Sequence, residues 1–310
     1  MSKIVVTGGA GFIGSHLAKK LVALKHQVVV FDNLSTGNLN NLQEIKNKIQ
    51  FVKGDIRNLA LLQKTFKTAD FVVHLAALPG VFLSIKEPAK VNDVNIAGAL
   101  NVLIAARDNK IKRMIFASSS SVYGGTFAVN KETQAPQPLS PYAVSKITGE
   151  YYLKNFYDLF GLPTVSLRFF NVFGPKQNPN SEYAAVIPLF IRLALQNKRP
   201  IIFGDGEQSR DFTYIDNVVD GIILAMRASK APGESINLAC GASVTVNQLI
   251  KSISRVTGKS IAPIYKSPRP GDIYRSQAYI SKAKQILGIK KQISFEDGLA
   301  KTIAWYKAKS

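Results

Sequence analysis

Three glycines, Gly8, Gly11 and Gly14, recur at Gly-x-x-Gly-x-x-Gly spacing in IVVTGGAGFIGSHLAKKL. They stand between a strand-like run, residues 4–7, and a helical pattern, residues 12–24. Glycine lets the backbone turn sharply and lets a bulky anion approach closely. The helix that follows presents free N–H groups and the positive end of its dipole. A glycine-rich packing turn is the competing reading, but both flanks suit a phosphate cradle at the end of a parallel strand.

The next strand, Gln27–Asp32, ends in an acid about 20 residues on, where a ribose-binding carboxylate is expected. A carboxylate accepts from ribose hydroxyls and repels a 2′-phosphate. No arginine follows in Asn33-Leu34-Ser35-Thr36, so NAD is favoured over NADP. Asp55, after a third strand Ile49–Lys53, is placed either to contact adenine or to cap its turn.

Strand-like and helical stretches alternate through residue 170. Strands are expected at residues 71–75 and 113–118 and at Thr164–Phe169; helices at 60–66, 94–108 and 142–160. Short apolar strands between helices predict an α/β fold, a Rossmann-like doubly wound parallel sheet covered on both faces. After Asn171 the chain turns to Pro, Gly, Asn and aromatic residues with shorter elements. Helices are expected at 186–196, 217–228, Val246–Thr257, Ser281–Leu287 and Phe295–Lys307. The expected division is a dinucleotide-binding domain at 1–170 and a smaller C-terminal α/β substrate lobe at 171–310, with segments free to cross back.

Composition narrows the function classes. The 310 residues are 46% hydrophobic, and no apolar run approaches a membrane span. The N-terminus lacks an apolar core followed by a cleavage site, so a secretory signal is not expected. One cysteine, Cys240, and three scattered histidines, His16, His26 and His74, make neither a disulfide framework nor a zinc cluster. No metal is expected, and a reducing cytoplasm is the expected compartment. Forty basic against 20 acidic residues give a net charge of +20, which attracts polyanions. No dense basic block is present, so a basic solvated face is expected rather than specific nucleic-acid recognition.

The segment SPYAVSKITGE places Tyr142 and Lys146 four apart, on one helical face. A lysine cation beside a phenol favours phenolate and would bring tyrosine towards use as a general base. Upstream, FASSSSVYGG ends a strand in four serines, any of which could bridge substrate and phenol.

TGGAGFIGSH, Asp32, HLAAL, SSSSVYG, PYAVSK and RFFNVFGP together resemble the extended short-chain dehydrogenase/reductase family over nearly the whole chain. The likeness is strongest to its nucleotide-sugar 4-epimerases. It implies NAD-dependent epimerisation of a UDP-hexose through a 4-keto intermediate. In that pattern Tyr142 exchanges the proton of the sugar 4-hydroxyl, Ser119 bridges that hydroxyl with Ser120 assisting, and Lys146 holds the nicotinamide ribose. The cofactor site takes in Phe12, Ile13, Asn33, Ser35, Thr36 and Gly37, with Asp55 and Ile56 after the third strand. Leu75, Ala76 and Ala77, then Asn95, then Phe169 complete it. His74 in HLAAL has no visible acidic partner and is read as packing. Residues 94–106 and the helix after Tyr142 resemble the pair that builds a four-helix homodimer interface. Related 4,6-dehydratases carry an Asp-Glu pair where this chain has Ser120 and Ser121, which disfavours water elimination. UDP-glucuronate 4-epimerases and decarboxylases reuse the same groups and stay open. So does a non-enzymatic NAD-binding or nucleic-acid-associated role, which an intact Ser119, Tyr142 and Lys146 set opposes.

For substrate, the resemblance assigns Asn171 and Arg210 to the diphosphate, with Ala185 and Val186 at the start of a helix nearby. In RPGDIYRS it assigns Arg269 to the diphosphate and Asp272 to the uridine ribose. Ser276 occupies a position that is often tyrosine where only plain hexoses fit. Serine leaves room for an N-acetyl group, so UDP-GlcNAc/UDP-GalNAc is the expected pair, beside UDP-Glc/UDP-Gal.

Overall fold

The computed structural model describes residues 1–125, 129–179, 185–268 and 274–309. Its centre is a seven-stranded sheet: β1 (Lys3–Thr7), β2 (Gln27–Asp32), β3 (Ile49–Lys53), β4 (Phe71–His74), β5 (Arg113–Ser119), β6 (Thr164–Phe169) and, after four short strands, β11 (Ser235–Leu238). The order is β11-β6-β5-β4-β1-β2-β3, and every pairing is parallel. The order reverses between β1 and β4, which opens a crevice at their carboxyl ends.

Both faces of the sheet are covered, and side chains alternate between them. Val5, Val29, Phe31, Val72, Met114 and Phe116 point into one core, with α2 (Leu59–Phe66), α5 (Gly98–Asp108) and α6 (Pro141–Phe160). Ile4, Val6, Val28, Val30, Ile115, Val165 and Leu167 point into the other, with α1 (Phe12–Ala23) and α8 (Ile215–Arg227). A strand buried on both sides needs apolar residues at every position, which is why these strands read as continuous runs rather than alternating ones.

Between β4 and α5 lie α3 (Val81–Lys86), α4 (Pro88–Asn92) and a π-helical turn, Asp93–Ala97. After β6 the chain builds β7 (Val172–Phe173), α7 (Val186–Leu195), β8 (Ile201–Phe203), β9 (Ser209–Arg210) and β10 (Thr213–Tyr214). Beyond β11 come β12 (Val244–Thr245), α9 (Val246–Thr257), β13 (Ile264–Lys266), β14 (Arg275–Ser276), α10 (Ser281–Leu287) and α11 (Phe295–Lys307). The short strands pair as β12-β9-β14, β10-β7 and β13-β8. Ile187, Ile191, Leu249, Leu299 and Ile303 belong to the same buried cluster as α1 and α8. The later elements are therefore fused to the sheet through one core. Among the described residues no helix is long and apolar enough to cross a membrane.

Candidate active site

At the end of β1 the chain turns at Gly8, whose φ of +70° is left-handed. A Cβ on Gly8 would lie 2.6 Å from the Ala76 amide nitrogen, so only glycine lets β1 and β4 end side by side. Gly11 then caps α1 with extended backbone and no side-chain cap, and no acid stands in the first turn. The leading N–H groups and dipole of α1 are thus offered to an anion. Beside them the buried Asp32 carboxylate accepts from Ala10 N at 2.9 Å and Leu34 N at 2.8 Å. Each oxygen keeps a lone pair for a further donor. An uncapped helix start and a buried acid one loop away fit the pyrophosphate and ribose of NAD.

Around this cradle, Phe12 and Ile13 are partly buried in α1, and Ser35 N donates to Asn33 Oδ1 at 3.0 Å in the loop that runs on through Thr36 and Gly37. Asp55 is committed within its turn: it accepts from Arg57 N and Nε, each at 2.9 Å, from Arg57 Nη2 at 2.9 Å and from Asn33 Nδ2 at 3.0 Å. The Arg57 guanidinium holds its pKa well below the carboxylate range. Ile56 is buried under Gly98. Leu75, Ala76 and Ala77 follow β4 and are partly buried, and Phe169 ends β6 almost fully buried.

His74 is fully enclosed, shares a 2.7 Å hydrogen bond between its Nδ1 and Thr7 Oγ1, and is pushed down to about 3 by burial. It is a neutral strut between β1 and β4. Asn95 sits in the π-turn, where the extra residue turns its side chain inward. It accepts from Leu78 N at 2.8 Å and donates to Leu78 O at 3.1 Å and Ser145 Oγ at 3.2 Å. It ties the loop after β4 to α6.

Helix α6 begins at Pro141, behind Ser140, whose Oγ accepts from Ala143 N at 3.2 Å, and ends at left-handed Gly161. At Gly149 it crosses β5 so closely that a Cβ would meet Phe116 Cζ at 2.5 Å. This contact brings one face of α6 onto the end of β5. Lys146 Nζ donates to Ala117 O at 2.8 Å, and the Ser119 hydroxyl lies near enough to the Tyr142 phenol to lower its pKa. Ser119 Oγ also accepts from Ser121 N at 3.1 Å, opening the single turn Ser120–Tyr123.

The electrostatics depart from the sequence expectation. Burial raises the Tyr142 pKa, and the bond from Ser119 offsets this only partly. Burial also lowers Lys146 to about 8. The ammonium lies 5.7 Å from the centre of the Tyr142 ring and donates to a carbonyl rather than to the phenol.

A cavity of about 330 Å³ lies beyond β6, lined by Asn171, Ala185, Val186, Arg210, Phe203, Gln208 and Phe212 among others. It gathers four of the residues expected at the substrate, of which Asn171 and Arg210 were expected at the diphosphate. Asn171 turns the chain out of β6 with φ of +29°, an uncommon conformation for a residue other than glycine. Arg210 enters from β9, and Ser276, buried, is its register partner on β14. Arg269 and Asp272 lie outside the described residues. Sequence reasoning missed Phe203, Gln208 and Phe212. It also missed Glu150, which continues the Tyr142–Lys146 spacing by four, and Arg168, a lone charge in an apolar strand.

A model of the NAD dependent epimerase/dehydratase family matches residues 4–239. A putative UDP-glucose 4-epimerase of Methanocaldococcus jannaschii is 40% identical, with 98% of each chain covered. A UDP-N-acetylglucosamine 4-epimerase from Methanobrevibacter ruminantium M1, solved with UDP-N-acetylmuramic acid, is 42% identical with a TM-score of 0.96, covering 100% of this chain and 99% of that one. A UDP-glucuronic acid 4-epimerase from Bacillus cereus, solved with UDP-glucuronic acid and NAD, is 35% identical with a TM-score of 0.92, covering 99% and 100%.

Proposed function

Because the chain belongs to the NAD-dependent epimerase/dehydratase family and is an NAD-dependent UDP-sugar 4-epimerase, we propose that its working pair is UDP-GlcNAc and UDP-GalNAc, with UDP-Glc and UDP-Gal also turned over. The observation that carries this choice is Ser276: a small, buried residue in register with Arg210, which lines the cavity. The 42% identity to a UDP-N-acetylglucosamine 4-epimerase supports the same choice.

In this reading the amides around Gly8, Gly11 and Gly14 hold the pyrophosphate and Asp32 the adenosine ribose. The chemistry that NAD supplies when bound is reversible hydride acceptance. Lys146 holds the nicotinamide ribose, and Ser119 orients the sugar 4-hydroxyl against Tyr142. Tyr142 would take that proton as hydride leaves C4, and would return it to the 4-oxygen once the turned 4-keto sugar regains hydride on its other face. Asn171 and Arg210 keep the diphosphate fixed while the sugar turns, because arginine's planar fork binds phosphate oxygens in pairs. With Arg269 and Asp272 assigned to the diphosphate and the uridine ribose, the nucleotide is gripped at both ends. The exposed Tyr151, Leu159 and Phe160 of α6 support a homodimer through α5 and α6.

The test is to incubate the purified protein, without added NAD, with UDP-GlcNAc, UDP-Glc and UDP-glucuronate separately and to analyse each sugar product. Epimerisation of UDP-GlcNAc at the highest kcat/KM is expected. Conversion of UDP-glucuronate alone would overturn the substrate choice.

A further inference from the structure

Glu150 and Arg168 form a buried ion pair that no step above uses; the residues are 5% and 4% exposed. Arg168 Nε donates to Glu150 Oε1 at 2.9 Å and Nη2 to Oε2 at 2.7 Å, a two-pronged contact. The Ser118 hydroxyl donates to Oε1, and Ser235 Oγ to Oε2 at 2.9 Å. Arg168 Nη1 donates to the Tyr123 hydroxyl at 2.8 Å, which donates to Asn237 Oδ1 at 2.6 Å. The network joins α6, β5, β6 and β11.

Desolvating two charges costs so much that an apolar pair of similar volume often replaces them without loss of stability. Stability is therefore a weak reason for this arrangement, and its geometry offers a better one. Tyr142, Lys146 and Glu150 lie on one face of α6 at spacings of four. Ala117, Ser118 and Ser119 are consecutive on β5. Lys146 bonds Ala117 O and Glu150 bonds Ser118 Oγ, and this alignment brings the Ser119 hydroxyl near the Tyr142 phenol, whose pKa it lowers. A lysine chain is pliable and a serine hydroxyl rotates. The planar fork of Arg168 admits one approach of the Glu150 carboxylate, so it fixes α6 along and around its axis.

We propose that the Glu150–Arg168 pair is a positioning device. It sets the register of α6 on β5 and so holds Tyr142 on Ser119. The proposal rests on the acid–base roles given above.

The decisive variant replaces both partners, Glu150→Leu with Arg168→Met, which leaves no unpaired buried charge. Melting temperature near wild type is expected, with KM for UDP-GlcNAc unchanged and kcat lower by about 100-fold, the scale of a small misplacement of reacting groups. Arg168→Lys, which keeps the charge and loses the fork, should show a smaller kcat loss with the same unchanged KM. Wild-type kcat in the folded double variant overturns the proposal, as does a kcat loss matched by the loss of folded protein on circular dichroism. If the double variant does not fold, Arg168→Lys decides, and wild-type kcat there is fatal to the idea. Tyr142→Phe run in parallel separates the two levels. An active Tyr142→Phe sinks the acid–base reading itself; an inactive one beside a fully active double variant sinks only the positioning role.

Discussion

The Lys146 ammonium donates to the Ala117 carbonyl at 2.8 Å and stands 5.7 Å from the centre of the Tyr142 ring. The lysine is thus anchored to the strand that carries Ser119 rather than to the phenol it was expected to tune. Burial raises the pKa of the phenol and so works against the phenolate; the Ser119 hydroxyl lowers it and works for the phenolate.

Tyr142→Phe should retain NAD through purification and lose at least about 100-fold in kcat, in line with general acid–base contributions. Product analysis by chromatography checks it. Near-normal turnover would remove Tyr142 from the chemistry.

Gly149→Ala places a methyl against Phe116, with the ideal Cβ 2.5 Å from Cζ. Overpacking of this kind costs about 1–3 kcal/mol, and here it also lifts α6 from β5. Both melting temperature and kcat should fall. Phe116→Leu in the same chain should restore part of each, a coupling read from the double-mutant cycle. Simple additivity of the two changes would contradict the close-crossing account.

His74 is held at about 3 against an ordinary 6.5. The unfolded chain therefore takes up a proton first as pH falls. Stability present above pH 6.5 is lost at about 1.4 kcal/mol per pH unit from there down towards pH 3. Asp211 acts in the opposite sense. Burial raises it to about 6, so it gains relative stability as pH falls from 6 towards its ordinary 3.8. Just above pH 6 the His74 slope adds to those of His16 and His26, whose pKa values burial also lowers. Urea unfolding at pH 7 and pH 6 should show a smaller drop for His74→Gln than for wild type; equal drops would exclude His74 as the source.

Ser276→Tyr should cut kcat/KM for UDP-GlcNAc far more than for UDP-Glc. Ser276 is buried beside Arg210, so the melting temperature must be followed alongside. Equal losses on both sugars would show that this position does not select the sugar.

The sheet and the Tyr142–Lys146 spacing were legible in the sequence for the same reason: both are local patterns. Strand runs such as residues 28–31 are apolar throughout because both faces are covered, and Tyr142 and Lys146 lie four apart on one helical face. The phenol's environment was not legible, because it depends on where α6 crosses β5, and that is set by Gly149 meeting Phe116 from another element. The π-turn that aims Asn95 inward leaves no signature in a helical pattern. Glu150 was within reach of the same spacing argument. Arg168 was the clearer signal, since a lone charge in a buried strand demands a partner from elsewhere.

The pairing of β11 with β6 has a consequence for biogenesis. β6 is buried along its whole length, yet its outer neighbour, Ser235–Leu238, is translated only after α8. Until then the nascent chain presents an apolar strand with unpaired N–H and C=O groups, a template for a neighbouring polypeptide. Ribosomes stalled between β6 and β11 should release aggregation-prone fragments, whereas a chain that reaches Leu238 closes its own edge.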